Sequence, residues 1–334
     1  GLTMRLAFDA KMDFREFEAR FRSEEACIQA LQHARWPDGF RCPRCQHTEA
    51  SVVSTRKLPL FCCRKCKRQT SLIAGTIFEG TRTPLRSWFM AIYWHAHPPG
   101  MSAKQLSRRI GVTYKTAWLI SHKLRFAMSR DLEQAPLQGE VRINGDFYGY
   151  PYNHTSSRHP MEHPILVGCS VDASGEMEHV QIQQLPPEQL KGHSKKPNKK
   201  GVDAFLKDRV RSSDVQITTT RYQHGHFRPL VLLCRHMRDW INGIYRGIGP
   251  KHLQAYLDQF VYRHNRLGSD IHLDLFQTCA ITRTITYRTL IARPAHRPVI
   301  ESTIIRYIPK NRRHRYTFVD PEPNSMDRYS WSYA

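Results

Sequence analysis

Four of the nine cysteines stand as two Cys-x-x-Cys pairs, Cys42/Cys45 and Cys63/Cys66, with seventeen residues between them. Each such turn presents two thiolates about as far apart as two corners of a tetrahedron, and the second pair closes it. The spacing predicts a zinc ribbon in which Cys42, Cys45, Cys63 and Cys66 hold a structural Zn2+. Four thiolates leave no open coordination position, so this metal would hold the fold and do no chemistry. Cys62 is out of register with Cys63, and His47 lies beside the first knuckle. Both are read as bystanders.

A second stretch raises a question of chemistry. In "EVRINGDFYGY", Glu140 to Tyr150, the apolar Val141, Ile143 and Phe147 are spaced like the inward face of a strand. Asn144 sits in its middle beside Gly145, and Asp146 follows two residues on, on the same face of a regular strand. A strand like this can begin a metal-dependent nuclease core, where an acid would stand at the position of the amide. Asn can ligate a metal through its carbonyl, but it brings no charge.

A third stretch, "GMSAKQLSRRIGVTYKTAWLISHKLRFAM", reads as two helices. Ser102 caps the first, Gly111 makes the turn and Thr113 caps the second, which buries Ala117, Ile120, Leu124 and Met128. Helix, glycine turn and helix at this spacing predict a helix-turn-helix. In such a unit the start of the second helix enters the major groove and basic residues meet phosphates. Thr113, Tyr114, Lys115 and Thr116 at its start, then His122, Lys123 and Arg125 on its outward face, are the expected DNA-binding residues. The plainer alternative is a three-helix bundle with a solvated basic face.

The bulk composition agrees with a polyanion partner. The chain of 334 residues carries 51 Lys+Arg against 29 Asp+Glu, a formal net charge of +22. No apolar run approaches the ~18 residues of a membrane span. The amino terminus has no secretory apolar region. An odd cysteine count, with six cysteines between Cys27 and Cys66, fits bound metal in a reducing cytoplasm better than disulfides.

These segments are positioned by a multidomain α+β chain. Residues 1–35 read as N-terminal helices, with Asp13 and Glu16 as a capping box, and 36–80 as the zinc ribbon. Residues 81–130 form the helix-turn-helix region, opened by Pro84 and the apolar face Leu85, Trp88, Phe89, Ile92 and Tyr93. A linker, Ser129 to Gly139, leads into residues 131–280, which continue strand, strand, strand, helix, strand, helix. That order is the ribonuclease-H-like one. Residues 281–334 are a basic C-terminal extension that includes Arg293, Arg297, Arg306, Lys310, Arg312 and Arg313.

"DFREFEARFRSEEACIQALQHARWPDGFRCPRC", "FCCRKCKRQTSLIAGTIFEGTRTPLRSWFMAIYW" and "MSAKQLSRRIGVTYKTAWLISHKLRFAM" closely resemble the zinc-ribbon transposases of bacterial insertion sequences in the Merlin-related group. "GPKHLQAYLDQFVYRHNRL" resembles the end of their catalytic domain. The resemblance covers roughly Asp13 to Ala280 and is densest at its two ends. It implies DNA binding by ribbon and helix-turn-helix. It also implies cutting and joining of DNA by a triad of two Asp with a Glu or an Asn, on a ribonuclease-H-like core. In that chemistry carboxylates hold two Mg2+ ions, which activate the nucleophile and stabilise in-line displacement at phosphorus.

Laid on the family's motif, Asn144 falls where the first acid belongs. Thr219 (or Thr218) takes the second place and Val231 the third. All three are neutral. The resemblance therefore implies a transposase-derived, sequence-specific double-stranded DNA-binding protein, cytoplasmic and associated with the nucleoid. It would be a homodimer whose catalytic activity has been lost. Its C-terminal extension would serve DNA or a protein partner. One alternative is an active transposase that binds Mg2+ through displaced acids, above all Asp146. Asp172 and Asp214 read as turn acids instead. The other alternative is an RNA-binding or protein-interaction protein.

Overall fold

The computed structural model describes residues 12–97, 99–149, 156–219 and 225–292. Helix α1, Phe14–Arg20, starts at the expected capping box: Asp13 accepts from the Glu16 amide at 2.9 Å, and Glu16 accepts from the Asp13 amide at 3.3 Å. Helix α2, Glu24–Arg35, is capped by Ser23. Phe17 and Phe21, four apart on one helical face, are buried against Tyr93 and Phe89. The zinc-binding segment follows as an antiparallel sheet, β1 (Ala50–Val53), β2 (Leu60–Cys63) and β3 (Gln69–Ser71), with β2 in the middle. The three residues of β3 carry no apolar alternation. Trp36, Phe40 and Phe61 form one aromatic cluster beneath this sheet, and Arg35 lies 4.5 Å over Trp36 while donating to the Ser71 and Leu72 carbonyls. That guanidinium ties the end of α2 to the exit of the ribbon.

Helix α3, Leu85–Ala96, follows Pro84, whose side chain cannot cap. Glu24 of α2 does so instead: its carboxylate accepts from the Leu85 and Arg86 amides at 2.6 and 3.1 Å. A negative group at a helix start is electrostatically favoured there. Helix α4, Ala103–Ile110, ends at Gly111 with φ of 68°, a left-handed turn that suits glycine. Thr113 then accepts from the Thr116 amide at 3.2 Å and opens helix α5, Tyr114–Glu133. This helix is 20 residues long and runs through the boundary drawn at Arg130. The segment read as a linker is therefore the last turn of α5 plus a short connection whose Leu137 is buried.

The second sheet has four strands: β4 (Glu140–Tyr148), β5 (His163–Val171), β6 (Met177–Gln184) and β7 (Val215–Thr218). Its order is β6-β5-β4-β7. The first three form an antiparallel meander, and β7 pairs parallel to β4 after a crossover through helix α6, Lys199–Arg209. Alternation divides the sheet. Val141, Ile143 and Leu166 face α6 and pack with Phe205. The opposite face, with Ile165, Val167, Val180 and Ile182, joins the large core that includes the other helices. From the sheet onward, those are α7 (Arg228–Tyr245), α8 (Leu253–His264) and α9 (Ile271–Ile281); the short α10 (Tyr287–Ile291) follows and buries no residue. Helix α8 begins three residues after Pro250. Arg293 and the extension's other basic residues beyond it lie outside the described residues. No helix among the described residues is long and apolar enough to cross a membrane.

Candidate functional site

The four cysteine sulfurs lie within 4.8 Å of one another. Cys42 and Cys66 are 3.6 Å apart, as are Cys45 and Cys63. Corners of a tetrahedron around Zn2+, at Zn–S of about 2.3 Å, are roughly 3.8 Å apart. The two knuckles repeat each other. Cys42 donates its amide to the His47 carbonyl and Cys63 to the Arg68 carbonyl, both at 2.9 Å. Gln46 and Lys67, each directly after the second cysteine of its pair, both adopt φ of 60°. The bystander Cys62 turns away, toward the Lys67 carbonyl. This closed four-thiolate set is a structural Zn2+ site. Among the described residues it is the one cluster of three or more His, Cys, Asp or Glu with ligand atoms close enough for a metal.

On the other sheet, the structure brings together two of the three family positions. Asn144 of β4 pairs in register with Thr218 of β7, and Thr219 follows at the strand's end. A Cβ at Gly145 would collide with the Thr219 carbonyl, so glycine lets the two strands approach there. Val231 lies in the first turn of α7, half-buried. Asn144 is buried, and its amide is fully engaged. Nδ2 donates to the Phe227 carbonyl at 3.0 Å, and Oδ1 accepts from the Phe227 amide at 3.2 Å. This clasp fixes the start of α7 to the centre of the sheet. The sequence reading missed Phe227, because nothing local to it announces a partner 83 residues away.

Asp146, the alternative acid, faces the same helix as expected from strand alternation. It is committed to Arg238 of α7, with Nη1 to Oδ1 at 3.0 Å, and also accepts from the Phe147 amide. Arg238 donates to the Phe147 carbonyl as well. Asp172 accepts from the Ser174 and Glu176 amides in its turn, as the turn reading required.

The expected DNA-facing residues divide. Thr113, Tyr114 and Lys115 are exposed at the start of α5, and Thr116 is half-buried. His122, Lys123 and Arg125 are not on an outward face: they are 2%, 8% and 1% exposed. The expectation that these three meet phosphates is corrected. Helix α8 covers that side of α5. Arg125 donates to Gln259 at 2.8 Å and lies 4.0 Å over the Tyr256 ring. His122 packs tilted against Trp118 and His252, with ring centroids 4.1 and 4.9 Å away. Burial, and then the Arg125 charge, holds its imidazole well below the ordinary range. A basic side chain on a helix was read as solvated, yet an aromatic lining lets a guanidinium be buried.

Comparisons with known proteins follow this division of the chain. Residues 22–69 match a transposase zinc-ribbon domain, which spans α2 and the cysteine centre. Residues 203–265 match an ISXO2-like transposase domain, which spans most of α6, then β7, α7 and α8. An uncharacterized protein in transposable element ISH50 of Halobacterium salinarum is 34% identical over 131 residues, 38% of this chain and 42% of that protein. The chain thus spans less than half the length of that relative. No solved structure matches. Two separate segments of the chain are thus similar to transposase domains, in agreement with the resemblance that the sequence motifs carry.

Proposed function

We propose that this chain is a transposase-derived protein that binds a particular double-stranded DNA site and no longer cuts it. The zinc ribbon and the α4–α5 pair, read as a helix-turn-helix, recognise the duplex. The β6-β5-β4-β7 sheet with its crossover helix is read as a ribonuclease-H-like core. In this reading the protein acts as a homodimer in the cytoplasm, associated with the nucleoid, and the former catalytic domain serves as scaffold and interface.

The observation that carries the reading is the Asn144 clasp. An ionised acid at this position could not make it, since Phe227 offers both a donor and an acceptor and a carboxylate only accepts. The amide holds the sheet and α7 together at the point where carboxylates would otherwise share a cation. Thr219 and Val231 add no charge. Two dications a few ångströms apart need several carboxylates to hold them. The second reading, an active enzyme using Asp146, meets the Arg238 guanidinium already neutralising that carboxylate.

The test has two parts. Sequencing DNA recovered with the protein from cells is expected to show one preferred duplex. Incubation of that duplex with protein and Mg2+ or Mn2+ is expected to leave it uncut. Equal recovery of random DNA or RNA would overturn the first part. Metal-dependent cutting would overturn the second.

A further inference from the structure

Beyond α9 the chain continues through α10. It turns back, and α10 comes to rest beside the start of α5. The Lys115 ammonium lies 5.1 Å over the Tyr287 ring, and the Trp118 and Tyr287 rings are 6.1 Å apart. Lys251, just before α8, donates to the Ile291 carbonyl at 2.8 Å and holds the far end of the short helix. Arg283 and Arg288 on this returning segment are exposed, as is Lys115.

The charge of this arrangement asks for a third party. Residues 283–315 carry nine Lys and Arg against a single acid, Glu301. A segment meant to mask a basic helix would carry acids and be held by ion pairs. Here the returning segment, 283–292, brings Arg283 and Arg288 and no acid. Lys115 contacts the face of a ring, and Lys251 contacts a backbone carbonyl, so neither cation is neutralised by its partner. Like charges gathered on one surface are stabilised by a polyanion that spans them.

We infer that the 283–292 segment is a DNA-contacting arm that shares one phosphate-binding surface with the start of α5. The inference rests on the proposed reading of α5 as the helix that meets duplex DNA. Tyr287 is the mooring. Its ring seats the arm against Lys115 and Trp118, so that Arg283 and Arg288 meet backbone phosphates flanking the site that α5 reads. The arm therefore supplies affinity and length of footprint, and little base preference of its own.

The experiment uses the full chain with Arg283→Ala/Arg288→Ala, and separately Tyr287→Ala, binding the preferred duplex across a salt series. Each lost phosphate contact should lower the slope of log K against log salt by about 0.9. The double variant should thus lose about two in slope. Its affinity for preferred and random duplex should fall alike, about tenfold or more at low salt, with zinc content and Tm unchanged. Tyr287→Ala should lose footprint on one flank. Tighter binding by either variant would show a mask and overturn the inference. An unchanged slope with intact specific binding would overturn the arm and leave the α5 reading standing. No duplex binding by the unmodified chain would remove both.

Discussion

Asn144 in the middle of β4 and Phe227 at the entry to α7 exchange two hydrogen bonds, the Asn144 amide donating at 3.0 Å and accepting at 3.2 Å. The pairing imitates a backbone bridge, and its geometry needs one donor and one acceptor on the same side chain. Asn144→Asp keeps the shape and removes the donor. Its carboxylate would face the Phe227 carbonyl in a buried site, at a cost of about 1–3 kcal/mol at pH 7. A protonated carboxyl can donate, so the variant's carboxyl should titrate above its ordinary range and the deficit should shrink as pH falls. Urea midpoints at pH 7 and pH 5 measure this. A variant as stable as the parent at pH 7, or one that begins to cut DNA with Mg2+, would contradict the clasp.

Asp146 and Arg238 form a buried pair, with side chains 3% and 13% exposed. Removing the acid leaves a cation with, among the described residues, the Phe147 carbonyl to accept from it. Asp146→Ala should therefore lose about 3 kcal/mol of stability. Asp146→Ala/Arg238→Met should recover part of it, since no buried charge remains unpaired. DNA cleavage is expected from neither the parent nor the variants. Metal-dependent cutting by the parent that vanished in Asp146→Ala would show that Asp146 is a ligand and not an ion-pair partner.

How far the sequence carried the structure depended on how local each signal was. Caps and knuckles are decided within five residues, so Asp13, Ser102, Thr113 and the four cysteine ligands were all readable. Strand alternation placed Asn144 and Asp146 on one face of β4 correctly. What could not be read was which partner occupies that face. Phe227 and Arg238 come from a helix 83 or more residues away and carry no motif. The same limit explains Arg125. Helical periodicity separates apolar from polar positions, but the rings of Tyr245 and Tyr256 that cover this guanidinium belong to α7 and α8.

The zinc ligands can be separated from their neighbour. Cys42→Ser or Cys66→Ser should lower bound zinc from one ion per chain and unfold the ribbon, because metal binding and folding are one process in such a site. Cys62→Ser should keep the metal, since its sulfur lies toward the Lys67 carbonyl. Metal analysis with thermal unfolding reads both. Zinc lost from Cys62→Ser but kept in Cys63→Ser would reverse the assignment. Removal of zinc by chelation should also remove the DNA preference.

Acid should destabilise the helical core through its histidines. Burial, and then the Arg125 charge, push His95 down to about 3 in the folded chain, while its ordinary value is 6.5. Above 6.5 the ring is neutral folded or unfolded and contributes no pH dependence. As pH falls below 6.5 the unfolded chain takes a proton that the folded one refuses, so stability falls toward pH 3. One such group accounts for a slope of about 1.4 kcal/mol per pH unit in that window. His95→Gln should flatten the fall by about that slope. Equilibrium unfolding of parent and variant between pH 7 and pH 4.5 measures it, and an identical pH dependence would mean that His95 protonates in place.

Lys115 and Lys123 lie two turns apart on α5, and their environments predict opposite phenotypes. Lys115 is exposed at the helix start, in the position proposed to enter the groove. Lys115→Ala should change which duplex is preferred and leave the unfolding midpoint within about 0.5 kcal/mol of the parent. Lys123 is 8% exposed, and burial lowers its ammonium's affinity for a proton while Glu79 partly restores it. Its removal should therefore register as a change in stability, with the salt slope of DNA binding unchanged. Quantitative binding on a randomised duplex library, repeated at several salt concentrations, separates the two. A Lys123→Ala protein of parental stability whose salt slope fell by about one would place that ammonium on a phosphate after all.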